Sequence, residues 1–459
     1  MEDCVSRVFN NLCSIAVYGA GYVGLSLASV YLRKGLSVIL IDIDENRLED
    51  IRSGRYMYVE REVREAINNG LRNGKLKLTS NGVEASRGSC IKVVTVPVYM
   101  DWINKRYSFK ALINVAETIG RGIKKGDLVI IESSVPPGTT REIVKPIIEE
   151  TSGLRCEDDF YLAYSPERIY IGRAVKDIEV NYPKIVSGIG SKSLELVSKF
   201  YERIAEKGVI RLSDTTAAEF EKLAEGIYRD VNIALANELA LVAMELGIDF
   251  YEVRKAANSQ PYCHLHLPGP GVGGYCIPLY PYFAMNKLME KGYMMDLTRL
   301  GRMINESMPL KIIKIIDNIV HSMKIKPSNS KVVVLGDAYR GDIDDTRLTP
   351  THDIVSLLRS RGFREIAVHD PFVKKDSFLE ELGVKLSNDL GSVLRGADLV
   401  LVATRHSMYR ELKISDIVRY CGREPVIIDT IAYLENDIEY DKYVVLGRST
   451  GFYKRISGV

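Results

Sequence analysis

The chain of 459 residues lacks several features that define special classes of protein. No stretch reaches the roughly 18 uncharged apolar residues of a membrane-spanning helix. The start, Met1-Glu2-Asp3, is acidic and has no basic segment with an apolar run behind it, which argues against a secretory signal. The 62 basic and 60 acidic residues leave a formal charge of +2, which favours neither nucleic acid nor a membrane as partner. We therefore expect a cytoplasmic protein.

The sequence also lacks a metal-binding motif. Its seven cysteines form an odd set without C-x-x-C spacing, so we expect free thiols in a reducing compartment. His264 and His266 alternate within a loop, which is poor spacing for zinc ligands, and we expect no metal site. Only one glutamine is present, Gln260, and scarce glutamine is part of the composition of thermophilic proteins. A thermophilic source is a hypothesis on this ground.

Short β-branched runs alternate with amphipathic segments in the first half of the chain and again in its last third. This alternation is typical of parallel, doubly wound sheets with helices on both faces. The expected strands are Ser14–Tyr18, Ser37–Asp42, Cys90–Val96, Asp127–Glu132, Asp159–Tyr164, Lys184–Gly188, Lys331–Leu335, Glu365–His369, Ala397–Thr404, Pro425–Asp429 and Lys442–Leu446.

A long helical segment lies between the two α/β regions. From Thr216 to Leu246 the chain has no proline and a single glycine, and Thr216 and Glu219 have the spacing of a capping box. A helix of this length usually connects domains or forms a dimer interface. The predicted architecture is α/β, with two doubly wound, Rossmann-like parallel-sheet domains joined by a central helical domain that mediates a homodimer. The predicted domain bounds are 1–212, 213–326 and 327–459.

Gly19, Gly21 and Gly24 follow the first predicted strand with G-x-G-x-x-G spacing and open a helix. The first glycine permits a tight turn, the second lets the backbone approach a pyrophosphate, and the third lets the helix pack on the strand. Asp42 ends the second strand, where a carboxylate accepts from the ribose hydroxyls of NAD and repels the 2′-phosphate of NADP. Arg47 weakens this preference, because it is placed to meet the adenine or a phosphate. The pattern predicts a dinucleotide site.

The most unusual stretch is Pro268–Cys276, in which four glycines within six residues precede a thiol. The bare backbone admits a ligand closely, and a thiolate there is able to attack a carbonyl and hold an acyl group as a thioester. The alternative is a buried cysteine that follows a loop. Lys222 lies on the long helix, where a lysine is far more often solvated than catalytic.

The second α/β region has no glycine fingerprint, but ligands bind at the carboxyl ends of strands in any such sheet. Arg340 and Arg347 follow its first strand and are candidate phosphate ligands. The alternative is that both arginines form surface ion pairs with the acidic run at 342–345.

Further segments occur in a fixed order along the chain: Glu132–Thr140 (E-S-S-V-P-P-G-T-T), Ser165–Arg168 (S-P-E-R), Glu219–Leu223, Tyr228–Ile233, the loop ending in Cys276, Asn305–Pro309, Asp345–Pro350 and His369–Pro371. With the glycine fingerprint, these motifs resemble the UDP-glucose/UDP-mannose (nucleotide-sugar) 6-dehydrogenase family over nearly the whole chain. The S-P-E-R, Tyr228–Ile233 and Pro-Gly segments are most similar to the branch that acts on UDP-N-acetylhexosamines, with UDP-N-acetylmannosamine as the expected sugar.

The resemblance implies an NAD-dependent four-electron oxidation of the sugar at C6 to a uronic acid, as used in polysaccharide biosynthesis. Two hydrides would pass in turn from C6 to NAD. Between the two transfers the thiol would add to the aldehyde to give a thiohemiacetal, and the second oxidation would give a thioester that water hydrolyses. The implied catalytic residues are Cys276, Lys222, Glu167 and Ser134. The implied NAD contacts are Gly19, Gly21, Tyr22, Val23, Gly24, Asp42, Arg47, Ser134 and Arg347. The implied substrate contacts are Arg168, Ile169, Lys222, Arg229, Gly273, Tyr339 and Arg340.

Four residues depart from the pattern of this family. Gly226 stands where the family has an asparagine, and Tyr280 where it has an aspartate. Tyr262 replaces a common arginine, and Val98 replaces a threonine. Loss of one oxyanion donor typically costs ~10²-fold in rate. Two rival interpretations therefore stay open, a UDP-glucose 6-dehydrogenase and a catalytically impaired protein that binds sugar nucleotides.

Overall fold

The structure is a computed structural model that describes residues 2–56 and 60–457. The chain forms two compact units. The first unit comprises Met1–Glu225 and Tyr282–Lys291, and the second comprises Gly226–Pro281 and Gly292–Val459. The predicted bounds of the three domains stay predictions.

The strands of the first unit are β1 (Ser14–Tyr18), β2 (Val38–Ile41), β3 (Leu76–Thr79), β4 (Ser89–Val94), β5 (Tyr99–Asp101), β6 (Arg106–Ser108), β7 (Leu128–Ile131), β8 (Tyr161–Tyr164), β9 (Lys184–Gly188) and β10 (Val209–Arg211). Eight of them form one sheet in the order β10-β9-β8-β7-β4-β1-β2-β3, while β5 and β6 pair as a hairpin. Every residue of β7 is buried, as expected for a strand with helices on both faces. The sheet is not parallel throughout, because β9 runs antiparallel to β8.

The helices of the first unit are α1 (Cys4–Phe9), α2 (Tyr22–Arg33), α3 (Glu45–Arg52), α4 (Arg61–Arg72), α5 (Gly82–Arg87), α6 (Lys110–Gly120), α7 (Lys145–Ser152), α8 (Ala174–Lys176) and α9 (Ser191–Glu202), with π-helical turns at Thr140–Val144 and Asp177–Asn181. α2 is buried continuously from Gly24 to Tyr31 because apolar residues cover most of its circumference. It therefore anchors the glycine loop that precedes it to the core.

The middle of the chain contains α10 (Thr215–Glu245), α11 (Phe250–Ala257), α12 (Cys276–Met289) and α13 (Asp296–Met323). The long predicted helix is present as α10, but its start differs from the prediction. Asp214 Oδ1 accepts from Thr216 N at 2.6 Å and caps the helix, so the predicted capping box of Thr216 and Glu219 is wrong. Among the helices of residues 2–56 and 60–457, none is both long and apolar enough to cross a bilayer.

The second unit contains a six-stranded sheet and its flanking helices. The strands are β11 (Lys331–Leu335), β12 (Glu365–His369), β13 (Lys385–Ser387), β14 (Leu399–Val402), β15 (Val426–Asp429) and β16 (Tyr443–Val445), in the order β13-β12-β11-β14-β15-β16. The helices are α14 (Pro350–Ser360), α15 (Ser377–Glu381), α16 (Leu390–Leu394), α17 (Ser407–Arg410), α18 (Ile414–Cys421) and α19 (Gly451–Ser457), and a 3₁₀ turn at Pro327–Asn329 precedes β11. Each neighbouring pair in this sheet is parallel. The predicted fold class is confirmed.

One prediction about the cysteines is wrong. Cys13 and Cys90 form a disulfide, with their Cα atoms 5.9 Å apart, whereas the sequence suggested free thiols throughout. The pairing arises because Cys13 immediately precedes β1, Cys90 lies in β4, and these two strands are neighbours in the sheet. The two cysteines are 77 residues apart in sequence, so only the strand order brings them together. The remaining five cysteines are free thiols.

Candidate functional site

The glycine fingerprint forms the tight turn between β1 and α2. Gly19 has a φ of +106°, which a residue with a side chain rarely adopts. A Cβ on Gly24 would lie 1.8 Å from the carbonyl oxygen of Gly19, so only glycine lets the helix start this close to the strand. Gly21 caps α2 without a side-chain hydrogen bond and has open space where a Cβ would be. The free N–H groups at this helix start fit a pyrophosphate.

Tyr22 and Val23 form the first turn of α2, and both are partly buried. The Tyr22 hydroxyl donates to Glu60 Oε1 at 2.5 Å and accepts from Gly172 N at 3.0 Å. Tyr22 therefore links the start of the helix to two other segments of the first unit.

Asp42 is buried at the end of β2, next to the glycine loop. Its Oδ2 accepts from Ala20 N at 2.8 Å and from the Arg47 guanidinium at 3.2 Å, and its Oδ1 accepts from Asp44 N at 3.0 Å. These contacts hold the carboxylate at the place where an adenine ribose is bound in dinucleotide sites of this kind. The glycine loop and Asp42 together fit NAD.

Glu167 belongs to a buried charge network in the first unit. Lys184 Nζ lies 2.6 Å from Glu167 Oε2 and 2.8 Å from Glu132 Oε2, and all three side chains are at most 5% exposed. Burial raises the pKa of Glu132 to about 7, although Lys184 acts against this. Burial lowers the pKa of Lys184, but the two carboxylates outweigh it and hold that pKa above its ordinary value. Lys184 therefore stays charged and fixes Glu167.

Arg168 follows Glu167 and makes contacts within the same unit. Its guanidinium lies 3.3 Å from Glu225 Oε1 and stacks 4.9 Å from the centre of the Tyr182 ring. Ile169 packs at the edge of the hydrophobic core. The predicted substrate contacts at 168 and 169 thus adjoin Glu167 along one short loop.

Lys222 lies partly exposed on α10, one residue from Glu221. Burial, followed by the neighbouring Glu225, raises the pKa of Glu221 to about 7, although Arg168 and Lys222 act against this. The Lys222 ammonium thus belongs to a partly buried group of mixed charge, rather than to a solvated helix face.

Ser134 lies in the loop that follows β7, and Glu219 of α10 holds the far end of this loop. The Glu219 carboxylate accepts from Gly138 N at 2.5 Å and from Thr140 N at 2.7 Å. Burial raises the pKa of Glu219 to about 7, although these hydrogen bonds act against it. Sequence reasoning missed this role because the capping-box spacing offered a local partner for the same side chain.

Cys276 is exposed and is the first residue of α12. The alternative of a buried cysteine is therefore wrong. Its exposure at the start of a helix gives the thiol the access that a nucleophile needs.

The glycines before Cys276 pack closely on the segment that follows β11. A Cβ on Gly273 would lie 2.6 Å from the Leu348 carbonyl oxygen, and one on Gly274 would lie 2.6 Å from the Tyr339 ring. Gly274 N also donates to Arg347 O at 2.8 Å. At these two positions the bare backbone accommodates a neighbouring loop of the second unit.

Arg347 pairs with the acidic run, as the alternative interpretation of this residue proposed. Its guanidinium donates to both carboxylate oxygens of Asp345, at 2.6 Å and 2.9 Å, and lies 5.6 Å from the centre of the Tyr275 ring. This pairing raises the pKa of Arg347. Tyr339 and Arg340 are half-buried in the same loop, and burial followed by Asp345 raises the pKa of Tyr339.

Gly226 and Tyr280, the two main departures from the family pattern, contact each other in the second unit. A Cβ on Gly226 would lie 2.3 Å from Cδ2 of Tyr280 and 3.2 Å from its Cβ. Tyr280 is 5% exposed, so its ring fills the space that a side chain at 226 requires. A side chain at 226 and the ring of Tyr280 therefore cannot both be accommodated without a shift in packing.

A buried polar network explains two of the quoted motifs. The Arg302 guanidinium donates to Asp230 Oδ1 at 2.6 Å, and Asn305 Nδ2 donates to the same oxygen at 2.9 Å. Asn237 Nδ2 donates to Asn305 Oδ1 at 3.0 Å, and Asn237 Oδ1 accepts from Gly269 N at 2.9 Å. The network ties α10 and α13 to the start of the loop that carries the thiol.

Arg229 lies exposed on α10, close to a loop that its helix neighbour Asn232 organises. Asn232 Nδ2 donates to His264 O at 2.8 Å, and Asn232 Oδ1 accepts from His266 N at 2.8 Å. Burial lowers the pKa of His266, and the nearby His264 and Arg229 lower it further. The histidines contribute to the packing of this loop.

Comparison with models of known families identifies the family of this chain. Three domain models of the UDP-glucose/GDP-mannose dehydrogenase family match: the NAD binding domain over residues 13–205, the central domain over 216–307 and the UDP binding domain over 333–436. The chain belongs to the UDP-glucose/GDP-mannose dehydrogenase family. It is therefore an oxidoreductase that uses NAD and acts on a nucleotide sugar, and the resemblance drawn from the motifs is confirmed.

Individual relatives cover nearly the whole chain. The UDP-N-acetyl-D-mannosamine dehydrogenase of Pyrococcus horikoshii is 37% identical over 417 residues, which are 90% of this chain and 94% of the relative. The UDP-N-acetyl-D-glucosamine 6-dehydrogenase of Pseudomonas aeruginosa is 33% identical over 427 residues, 92% of this chain and 97% of the relative. The solved structure of the UDP-D-ManNAc dehydrogenase from P. horikoshii superposes with a TM-score of 0.86 at 33% identity, covering 95% of this chain and 99% of that one.

Proposed function

We propose that the protein oxidises a UDP-N-acetylhexosamine, with UDP-N-acetylmannosamine as the preferred sugar, at C6 to the uronic acid. The exposed thiol of Cys276 at the start of α12 is the observation that carries the chemistry. The similarity to a UDP-N-acetyl-D-mannosamine dehydrogenase supports the choice of sugar.

The glycine loop and Asp42 would hold NAD, which would supply the acceptor for the hydride equivalents that leave C6 as the alcohol becomes an acid. Cys276 Sγ adds to the C6 aldehyde, and the aldehyde oxygen takes up a proton to give a thiohemiacetal. The carbon–sulfur bond persists through the second oxidation, which leaves a thioester. Water then attacks the thioester carbonyl, the thiolate leaves, and the carboxylate product is released.

The polar residues of the first unit act on protons and charge in this scheme. The Lys222 ammonium stabilises the developing oxyanion or exchanges a proton with it. Glu167 would orient the hydrolytic water, and its ion pair with Lys184 holds this side chain in position. Ser134 would supply a hydroxyl near the nicotinamide and the reacting carbon.

The substrate itself is bound by groups from several loops. Arg229 and Arg168 supply positive charge for the anionic substrate, and Ile169 supplies an apolar contact. Gly273, Tyr339 and Arg340 contact the nucleotide end. Arg347, which pairs with Asp345, would be the residue of the C-terminal region that contacts the cofactor pyrophosphate.

A panel of UDP-sugars tests this function. Purified protein with UDP-N-acetylmannosamine should give two NADH for each sugar oxidised, and UDP-glucose should react poorly. Preference for UDP-glucose would establish the rival UDP-glucose 6-dehydrogenase instead. Cys276→Ala should abolish uronate formation. Cys263→Ala, which removes a different free thiol that is partly buried, should leave the rate of uronate formation unchanged. Uronate formation at the parental rate by Cys276→Ala would exclude the covalent route.

A second candidate function is favoured by the contact between Gly226 and Tyr280. A site without the usual asparagine and aspartate is expected to bind NAD and UDP-sugar with little turnover. In that case the double variant Gly226→Asn with Tyr280→Asp raises the rate. A measurable parental rate that this double change abolishes would exclude the impaired protein.

We also propose that the enzyme is a cytoplasmic homodimer. Exposed apolar side chains lie on two helices of the second unit, namely Leu235 and Val242 on α10 and Leu297, Leu300 and Met303 on α13. Exposed apolar side chains on long helices favour burial against a second copy. Sedimentation velocity should give the mass of two chains, and Leu300→Glu should shift the protein toward monomer.

A further inference from the structure

Three side chains that can bind metal meet at one edge of the second sheet. Asp337 follows β11, His352 lies in the first turn of α14, and Asp376 precedes α15 beyond β12. Because β11 and β12 are parallel neighbours, the segments after them meet at the same edge. One ligand atom from each side chain lies within 4.8 Å of the other two. His352 Nε2 is 3.2 Å from Asp376 Oδ2 and 3.6 Å from Asp337 Oδ1.

Asp337 is the feature of this cluster that requires an explanation. Its side chain is fully buried, and neither carboxylate oxygen has a hydrogen-bond partner among the described residues. His352 Nε2 is also buried without a well-aligned hydrogen bond. Burial, together with the nearby Asp376 and Asp370, raises the pKa of Asp337 to about 8. A buried carboxylate with no donor is costly unless a cation or a proton satisfies it.

The other two side chains are held in place by their own elements. The His352 ring stacks on Phe378, with centroids 4.3 Å apart and planes 16° apart. Asp376 Oδ1 accepts from Leu379 N at 3.0 Å and caps α15, which leaves Oδ2 on the side of His352. The three ligand atoms are thus positioned by packing and capping, as in built metal sites.

We propose that Asp337, His352 and Asp376 bind one divalent transition-metal cation. Two carboxylates and an imidazole match the ligand preferences of Zn²⁺ and its neighbours, whereas Mg²⁺ prefers oxygen ligands alone. The dication neutralises the two carboxylates and supplies the partner that Asp337 lacks. It ties the segment after β11 to α14 and α15.

Binding of Zn²⁺ and Co²⁺ to the full-length protein, after removal of metals with a chelator, tests this site. Calorimetry should show one tight Zn²⁺ equivalent per chain and no comparable binding of Mg²⁺. The Co²⁺ complex should absorb in the visible without the near-ultraviolet band of a thiolate ligand, which separates this site from the free cysteines. Tight binding that carries a thiolate band, or no stoichiometric binding, overturns the proposal.

Variants of the ligands assign the binding to this cluster. Asp337→Asn and His352→Gln should each weaken Zn²⁺ binding by roughly 100-fold or more, because even outer partners of metal ligands contribute 10- to 100-fold. His321→Gln, an exposed histidine on α13, is the matched control and should bind as the parent does. Asp337→Asn keeps the shape of the side chain and removes a buried charge, so the variant remains folded. Unchanged affinity in both ligand variants means that Asp337 holds a proton instead, and the metal site is refuted.

Discussion

The contact between Gly226 and Tyr280 predicts that a side chain at 226 is tolerated less well when residue 280 is tyrosine than when it is small. Alanine in a helix interior is more favourable than glycine by about 1 kcal/mol. With Tyr280 present, the added Cβ would lie 2.3 Å from the ring, and such overpacking costs about 1–3 kcal/mol. Gly226→Ala should therefore be neutral to destabilising by about 2 kcal/mol in the parent protein. In a Tyr280→Ala background it should stabilise by about 1 kcal/mol.

Denaturation of the parent, both single variants and the double variant measures this coupling. The coupling free energy should be about 1–3 kcal/mol, the size of the overpacking that the ring imposes. Gly391→Ala, on α16, is the control and should have the same effect in both backgrounds, because distant sites are additive. Tyr280→Val replaces Tyr280→Ala if the alanine variant does not fold. Equal effects of Gly226→Ala in the two backgrounds would refute the steric argument.

Three further predictions follow from the first unit. Lys184→Met leaves two buried carboxylates without their cation, so the free energy of unfolding should fall by roughly 3–5 kcal/mol. Chemical denaturation measures this loss, and a variant as stable as the parent would contradict the argument. The pKa of Glu219 is about 7 in the folded protein and the ordinary 4.5 in the unfolded chain, so the free energy of unfolding should fall as pH rises from 4.5 through 7, by about 3 kcal/mol at most. Melting curves across that pH range should show this fall in the parent and a flatter slope in Glu219→Gln. Cys90→Ser opens a 77-residue loop and should lower the free energy of unfolding by about 4 kcal/mol, because the unfolded chain gains conformational entropy. Cys263→Ser, at a free thiol, should leave the free energy of unfolding unchanged. Equal unfolding midpoints for the parent with and without reductant would show that the disulfide contributes nothing.

Much of the fold could be predicted because its signals are local. The runs at Ser14–Tyr18 and Lys331–Leu335 are strands with the predicted bounds, because apolar β-branched residues crowd into a strand buried on both faces. The short edge strands β3, β10 and β13 span only three or four residues, too few for a pattern of alternation to stand out. The antiparallel pairing of β9 with β8 is likewise a matter of chain path, which periodicity does not record.

The candidate site divides in the same way. The glycine fingerprint and Asp42 are predictable because steric limits and the strand–turn–helix context act over neighbouring residues. Lys184 and Glu219 are not, since their partners lie 17 or more residues away in sequence and depend on which elements become neighbours. The pairing of Cys13 with Cys90 has the same origin.

That disulfide makes the first part of the chain a covalent ring. The ring runs from Cys13 to Cys90 and contains the glycine loop, Asp42 and β3. A single backbone cut anywhere between the two cysteines leaves both pieces attached, and the mass of the oxidised protein rises only by one water. The glycine loop therefore stays covalently attached to the rest of the chain after such a cut. Reduction of the disulfide is needed to break the last covalent link between the two pieces.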